Sequence, residues 1–260
     1  MTWLDSDGGF WAADRGVSET VGFVLVFALI TSTIAVTFTV GLGGLEDAQL
    51  AERDNNVERA FDVLHDNLND ISRNGVPSRA TEIRLGGGRL AFATDSNIQI
   101  YDQTNGPNES LAVSSTAIVY HGTGDTEIRY EHGAVIRSDG GGSVMLREPD
   151  IMFGETALIG LVAIGQGATE SVGGDRTVLV RTDRGGRTAT EVNENVTIQV
   201  RGSTADAWER YFRDLQNGDG AGRITDINDA QDDLLKVNVT AAPNEPIVVH
   251  RTLVGTKLTD

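Results

Sequence analysis

The chain has 260 residues and a formal net charge of −17, with 38 acidic against 21 basic side chains, and only two of the basic ones are lysine (Lys236 and Lys257). This balance argues against nucleic acid as a partner, because sequence-independent affinity for nucleic acid comes from Lys and Arg facing phosphate. The absence of Cys removes disulfide frameworks, thiol catalysis and Cys-ligated zinc, while 39% hydrophobic residues suffice for a folded core. Dense carboxylates with scarce Lys suit high salt, where screening removes their mutual repulsion and bound water keeps the surface soluble; the composition reads as that of a halophile.

From Thr20 to Leu45 no residue is charged. A helix of that length spans about 39 Å, more than the ~30 Å hydrocarbon core of a bilayer, which predicts a transmembrane helix over residues 17–45. The Thr and Ser residues inside it can bond back to helix carbonyls and cost little in lipid. A soluble core helix would be shorter and amphipathic. A secretory signal cut after Gly41-Leu42-Gly43 fits less well, since residues 1–16 carry Asp5, Asp7 and Asp14 against Arg15 alone, and the apolar stretch exceeds the ~7 to 15 residues of such signals.

Asp14-Arg15-Gly16-Val17-Ser18, a charged pair and a small residue ahead of the apolar run, resembles the class III signal of archaeal type IV pilins and archaellins. The resemblance implies that residues 1–16 are a leader peptide, removed on the cytoplasmic side by a membrane-embedded aspartyl prepilin peptidase. Arg15, Gly16 and Val17 would then be the processing residues, with the cut between Gly16 and Val17 or one residue earlier. The stretches RGVSETVGFVLVF, NNVERAFDVLHDN and GVPSRATEI, between Arg15 and Ile83, look like the start of a haloarchaeal family of pilin-like, membrane-anchored surface proteins, a resemblance that brings no activity with it. Two departures stand out. Ser18-Glu19 replaces the Ser-Pro usual in haloarchaeal adhesion pilins, and Glu19 would be third in the mature chain, whereas bacterial pilins carry their Glu at position five. Glu19 can be read as a subunit contact to a neighbour's N-terminal amine. The preferred reading is a carboxylate favoured at a helix N-terminus by the macrodipole.

Charge counting leaves orientation open, with Arg15 before the span and Arg53 and Arg59 soon after it. The sequons at Asn108, Asn195 and Asn238 all follow the span, and glycosylation at any of them would place residues 46–260 outside the cell. That extracellular placement is the expectation.

Val57, Phe61, Leu64, Leu68 and Ile71 recur at spacings of 4 and 3 and end at Asn74-Gly75-Val76-Pro77, predicting an amphipathic stalk helix over 46–76. The stripe can serve as a seam between filament subunits or pack on the chain's own sheet, and the second is preferred because one-sided helices normally cover a core. Gly41, Gly43 and Gly44 each weaken a helix by ~1 kcal/mol, which predicts a bend or break there.

Residues 77–260 read as a β-rich head. Strands are predicted at 82–85, 89–93, 97–101, 112–120, 127–130, 135–137, 143–146, 157–164, 177–181, 196–201, 234–239 and 247–254, joined by turns such as Gly86-Gly87-Gly88 and Arg184-Gly185-Gly186. Ser203-Thr204-Ala205-Asp206 reads as a capping box for one helix that places Trp208 and Phe212 in the core. Gln216 to Asp233 reads as a polar connector. The fold class is α+β: a long N-terminal helix, then a mainly antiparallel β head with one short helix.

Chemistry is sparse. The sequence contains no P-loop, GxSxG or HExxH motif, and His65, His121, His132 and His250 are far apart. Asn217-Gly218-Asp219-Gly220-Ala221-Gly222 imitates a calcium loop but has Ala221 and Asn228 where ligands belong, so it reads as an acidic turn. No catalytic residue, metal or cofactor is expected, and the chain is not read as an enzyme. The expected partners are the membrane, the prepilin peptidase and other pilin subunits. A non-assembling, anchored envelope binding module is the alternative, with an anchored extracellular hydrolase last.

Overall fold

A computed structural model describes residues 13–104, 106, 111–154, 156–231, 233–243 and 245–259. The chain divides into two units, Met1–Glu52 and Arg53–Asp260. Helix α1 (Ala13–Asn74) runs without interruption through Gly41, Gly43 and Gly44, so of the bend or break predicted there the break does not occur. A β-carbon at any of the three would meet nothing. The entropic cost of each glycine is small beside the loss of backbone hydrogen bonds that a break in an apolar segment would bring. The C-terminus of α1 follows the prediction: Gly75 takes φ +69, the left-handed cap conformation that glycine adopts freely, two residues before Pro77.

The second unit carries three sheets. Sheet A has the order β1 (Ser78–Arg84), β12 (Thr177–Val192), β16 (Ile247–Thr259), β10 (Ala157–Gln166), β9 (Asp150–Phe153). Sheet B has the order β11 (Ser171–Gly173), β2 (Arg89–Ala93), β5 (Ala117–His121), β6 (Thr126–Glu131), β7 (Ala134–Asp139), β8 (Gly142–Arg147). Sheet C has the order β14 (Ile224–Gln231), β15 (Leu234–Val239), β13 (Val196–Arg201), β3 (Asn97–Asp102), β4 (Leu111–Ser114). The described pairings are antiparallel except β10 with β16, which run parallel from Ala157↔Ile247 to Gln166↔Thr256. The α+β class therefore holds, with helix α2 (Ala205–Asn217) as the short helix of the head.

Two apolar clusters explain this layering. In the first, Val57, Phe61, Leu64, Leu68 and Ile71 of α1 are buried against Ile83, Val162, Ile164, Val178, Val180 and Val254 of sheet A and against Leu90, Ile118, Tyr120, Ile128 and Tyr130 of sheet B. The stripe thus packs on the chain's own sheets. In the second, the opposite face of sheet A, with Ile159, Leu161, Ile247 and Val249, meets Ile98, Ile198, Val237 and Val239 of sheet C and Trp208 and Phe212 of α2. At β10 sheet A is covered on both faces, which is why this strand reads as the unbroken apolar run ALIGLVAI.

Several predicted boundaries change, each for a local reason. The predicted strand 112–120 splits at Ser115-Thr116, where the chain passes from sheet C to sheet B. That corner is pinned by the Ile164 amide donating to Ser115 Oγ at 2.8 Å and the Thr116 amide donating to the Ile164 carbonyl at 3.1 Å. β12 does not turn at Arg184-Gly185-Gly186 but continues through a bulge against β16, where a β-carbon on Gly185 would lie 2.8 Å from the Leu253 carbonyl oxygen. The predicted connector 216–233 contains β14, an edge strand whose Asp and Asn residues hide it, and whose register against β15 shifts twice. The capping box does not form: Thr204 caps α2 without a side-chain bond to its backbone, and its hydroxyl instead donates to Glu131 Oε1 at 2.5 Å.

Phe61→Ala is expected to cost about 3 to 5 kcal/mol in denaturant unfolding followed by circular dichroism, since the side chain is fully buried. Val63→Ala, two residues on and 52% exposed, should stay within about 0.5 kcal/mol.

Candidate functional site

In the unit Met1–Glu52, fourteen large apolar side chains from Val21 to Leu45 are exposed, Phe23 at 71% and Val40 at 70% among them. Such a continuous apolar surface is far more than a soluble monomer leaves in water. Four of its hydroxyls are spent internally: Thr31, Ser32, Thr33 and Thr39 donate to the carbonyls of Phe27, Ala28, Leu29 and Ala35 at 2.7 to 2.9 Å. Among the described residues, α1 is the one helix long and apolar enough to cross a membrane, which is consistent with a single-pass anchor. Arg15, Gly16 and Val17 fall in the first turns of α1, with side chains outside the described set, and Glu19 is exposed. Residues 1–12 of the expected leader lie outside the described residues, as does Asn108.

The two remaining sequons meet across β13 and β15. Thr197 is the register partner of Asn238 and donates to its Oδ1 at 2.8 Å, while Asn238 Nδ2 approaches Asp226 at 3.5 Å. Asn195 is exposed, and its Oδ1 accepts the Ala241 amide at 3.0 Å. The hydroxyl of one sequon is therefore tied to the amide of the other, a pairing that separation in sequence conceals.

Inside the head lies a buried ionic network. Arg129, 2% exposed, donates through Nε to Glu127 at 3.0 Å, through Nη1 to Glu131 at 3.2 Å and through Nη2 to Asp95 at 3.0 Å. Burial pulls the guanidinium pKa down, but the three carboxylates outweigh it and leave it raised. Glu131, 1% exposed, also accepts Trp208 Nε1 at 2.8 Å, so β6 and α2 are joined through one carboxylate. Every group of this network is bound to another within it, as structural networks require.

The four His separate in role. His65 is buried beside Tyr130, its Nε2 3.3 Å from the Glu148 carbonyl oxygen, and His121 pairs with Glu127 at 3.3 Å. His132, in the β6–β7 turn, is fully buried with φ +52, and neither ring nitrogen has a partner among the described residues. Burial lowers its pKa to about 4, with Glu131 opposing weakly. His250 belongs to a cavity.

That cavity, about 330 Å³, opens where the last turns of α1 part from sheet A. Leu158, Val162 and Val248 form an apolar floor, and Arg73, Asp150, Arg187 and His250 stand around it. Arg73 grips Asp150 with both ends of its fork, Nε to Oδ2 at 3.1 Å and Nη2 to Oδ1 at 3.0 Å. Arg187 Nη2 lies 3.4 Å from His250 Nε2. A guanidinium can only donate, so His250 Nε2 accepts and the imidazole is neutral; burial and then Arg187 lower its pKa. These groups come from four distant stretches of chain, and no spacing in the sequence announces them. A second depression, about 370 Å³, is lined by Asp125, Glu127, Asp139 and Asp206, but among the described residues no group of His, Asp or Glu is arranged to hold a metal. The segment that imitates a calcium loop forms the turn between α2 and β14.

Compared with protein families, residues 15–254 match the model described as "Family of unknown function (DUF7289)". The chain is also similar to an "Uncharacterized protein" of Archaeoglobus fulgidus, 29% identical over 78 residues, which is 30% of this chain and 26% of that protein. No solved structure matches.

His132 sets a pH dependence. The unfolded imidazole titrates near 6.5 and the native one at about 4, so in that interval the unfolded chain binds a proton that the native chain does not. Its effect on stability is nil above 6.5 and becomes a loss that grows to about 3 kcal/mol as pH falls to 4. His132→Asn, which keeps a residue tolerant of positive φ, is expected to remove this share of the acid destabilisation in unfolding curves at pH 7 and pH 4.5.

Proposed function

The chain belongs to the family of unknown function DUF7289, and because that membership brings no activity, we propose a function from the chain's own chemistry. It is a pilin-like cell-surface protein, processed by a prepilin peptidase, held in the membrane by the N-terminal segment of α1, with residues 46–260 outside the cell. The observation that carries this reading is the exposed apolar run Val21–Leu45, attached to a unit whose core is already complete. Each Leu, Ile, Phe or Val near the bilayer centre favours insertion by about 0.3 to 0.6 kcal/mol, so fourteen of them far exceed what one carboxylate, Glu19, at the membrane edge costs. The pair Asp14-Arg15 and the small Gly16 stand immediately ahead of that run, where a prepilin peptidase cuts. Removal of residues 1–16 would leave a side-chain charge of −15, nearly all of it beyond the span, as suits a surface facing brine.

A second reading, an anchored module that never assembles, is favoured by the burial of Val57, Phe61, Leu64, Leu68 and Ile71 in the chain's own core, which leaves that stripe unable to act as an intersubunit seam. Filaments purified without this chain, while it persists in membranes, would decide for that reading.

Mass spectrometry of membrane-extracted protein is expected to find a mature N-terminus at Val17 or Gly16, and Arg15→Glu should accumulate the longer form. An intact Met1 or Thr2 on the wild-type protein would overturn prepilin processing. Protease added to intact cells should remove the head, and its full protection would overturn the outward orientation.

A further inference from the structure

The cavity beneath the end of α1 lies wholly within the unit Arg53–Asp260 and is used by none of the roles above. We propose that it is a binding site for a small organic anion, a carboxylate carried on a compact apolar body such as one ring or a short chain.

Three observations carry this. The first is size and lining. Beside the buried core that α1 shares with sheets A and B lies a space of about 330 Å³ on a floor of Leu158, Val162 and Val248. Ligand pockets in general run from roughly 300 to 1,000 Å³, are mostly apolar, and carry a few placed polar groups.

The second is charge. Asp150 is spent on the fork of Arg73, and those two cancel. Arg187 faces a neutral imidazole, and no carboxylate lies within ion-pair distance of it among the described residues. The rim therefore carries one uncompensated positive charge, in a chain whose formal charge is −17.

The third is donor geometry. Arg187 uses Nη2 toward His250, and a guanidinium has five N–H groups, so a planar oxyanion can be received by the others. The negative end of α1 is close by and would oppose an anion. That end is already met by Arg184, whose Nη1 donates to the Gly75 carbonyl.

The test is fluorine NMR on the full chain in lipid nanodiscs, titrated with para-fluorobenzoate. The same ring as para-fluorobenzyl alcohol and as para-fluorobenzylammonium provides the neutral and cationic comparisons. Saturable binding of the acid is expected, at least about tenfold tighter than either comparison, and weakened about tenfold by Arg187→Ala with an unchanged melting curve. Val248→Trp, which fills the floor, should abolish it. Equal binding of the alcohol, indifference to Arg187→Ala, or a response that never saturates and follows lipid content would overturn the proposal. Should Val248→Trp fail to fold, the probe series and Arg187→Ala decide between these outcomes.

Discussion

Everything in the head is arranged around one demand, that the apolar stripe of α1 from Val57 to Ile71 be covered on more than one side. A single sheet can cover one face of a helix. Here sheets A and B both contribute, so Ile164 and Val254 from one and Tyr120 and Ile128 from the other close over Phe61 and Leu64. Having given one face to the helix, sheet A must still cover the other, and sheet C with α2 does so. Of the parallel pair β10 and β16, β10 is the strand buried on both faces and is apolar along nearly its whole length, whereas β16 turns one face outward beyond His250.

The charge balance follows a related logic. Arginine outnumbers lysine, 19 to 2, and the helix is flanked by guanidinium contacts: Arg147 to Asp62 at 2.8 Å, Arg79 to Asp70 at 2.8 Å, Arg137 to Glu58, and Arg73 to Asp150. A planar fork holds carboxylates in fixed directions, whereas an ammonium is a flexible point charge. Arg137, bonded to both Glu58 and Asp139, has its pKa raised by the Asp139 hydrogen bond first and Glu58 second, against burial. Exposed pairs of this kind add little net stability, and less in salt. Their value lies in fixing how α1 is rotated on the sheets. Arg129 differs because it is buried, and removal of its guanidinium would leave Glu131 charged in the interior.

Much of this was legible in sequence wherever one residue's neighbours along the chain decide its state. The stripe at 57–71, its stop at Gly75-Val76-Pro77, the strands 89–93 and 234–239, and Trp208 and Phe212 as core anchors all read correctly from spacing. The errors share a cause, which is that long-range partners overrode local signals. Gly185 and Gly186 look like a turn but make a bulge because Leu253 passes close by; Ser203 to Asp206 look like a capping box, but the cap residue Thr204 gives its hydroxyl to Glu131; the polar segment 224–231 becomes a strand because β15 offers it an edge. The cavity was invisible for the same reason, since Arg73 and Asp150 are 77 residues apart.

Of the two uses open to the stripe of α1, a seam between subunits or packing on the chain's own sheet, these contacts take the second. With the stripe at 57–71 committed to the chain's own sheets, association through the apolar part of α1 falls to residues 20–45, where the exposed side chains are Val, Leu, Ile, Phe and small residues. In lipid such helices gain nothing from hydrophobic burial and depend on close approach and hydrogen bonds. The hydroxyls of Thr31 and Ser32 are already bonded to Phe27 and Ala28 of the same helix. Ala28 with Ser32, and Thr31 with Ala35, are small residues one helical turn apart, and what they have left to offer a neighbour is their small size. A contact built on them would be one of shape, and substituting a bulky apolar residue at Ala28 or Ala35 would discriminate it from an anchor that simply floats in the membrane, because the anchor would not notice the change.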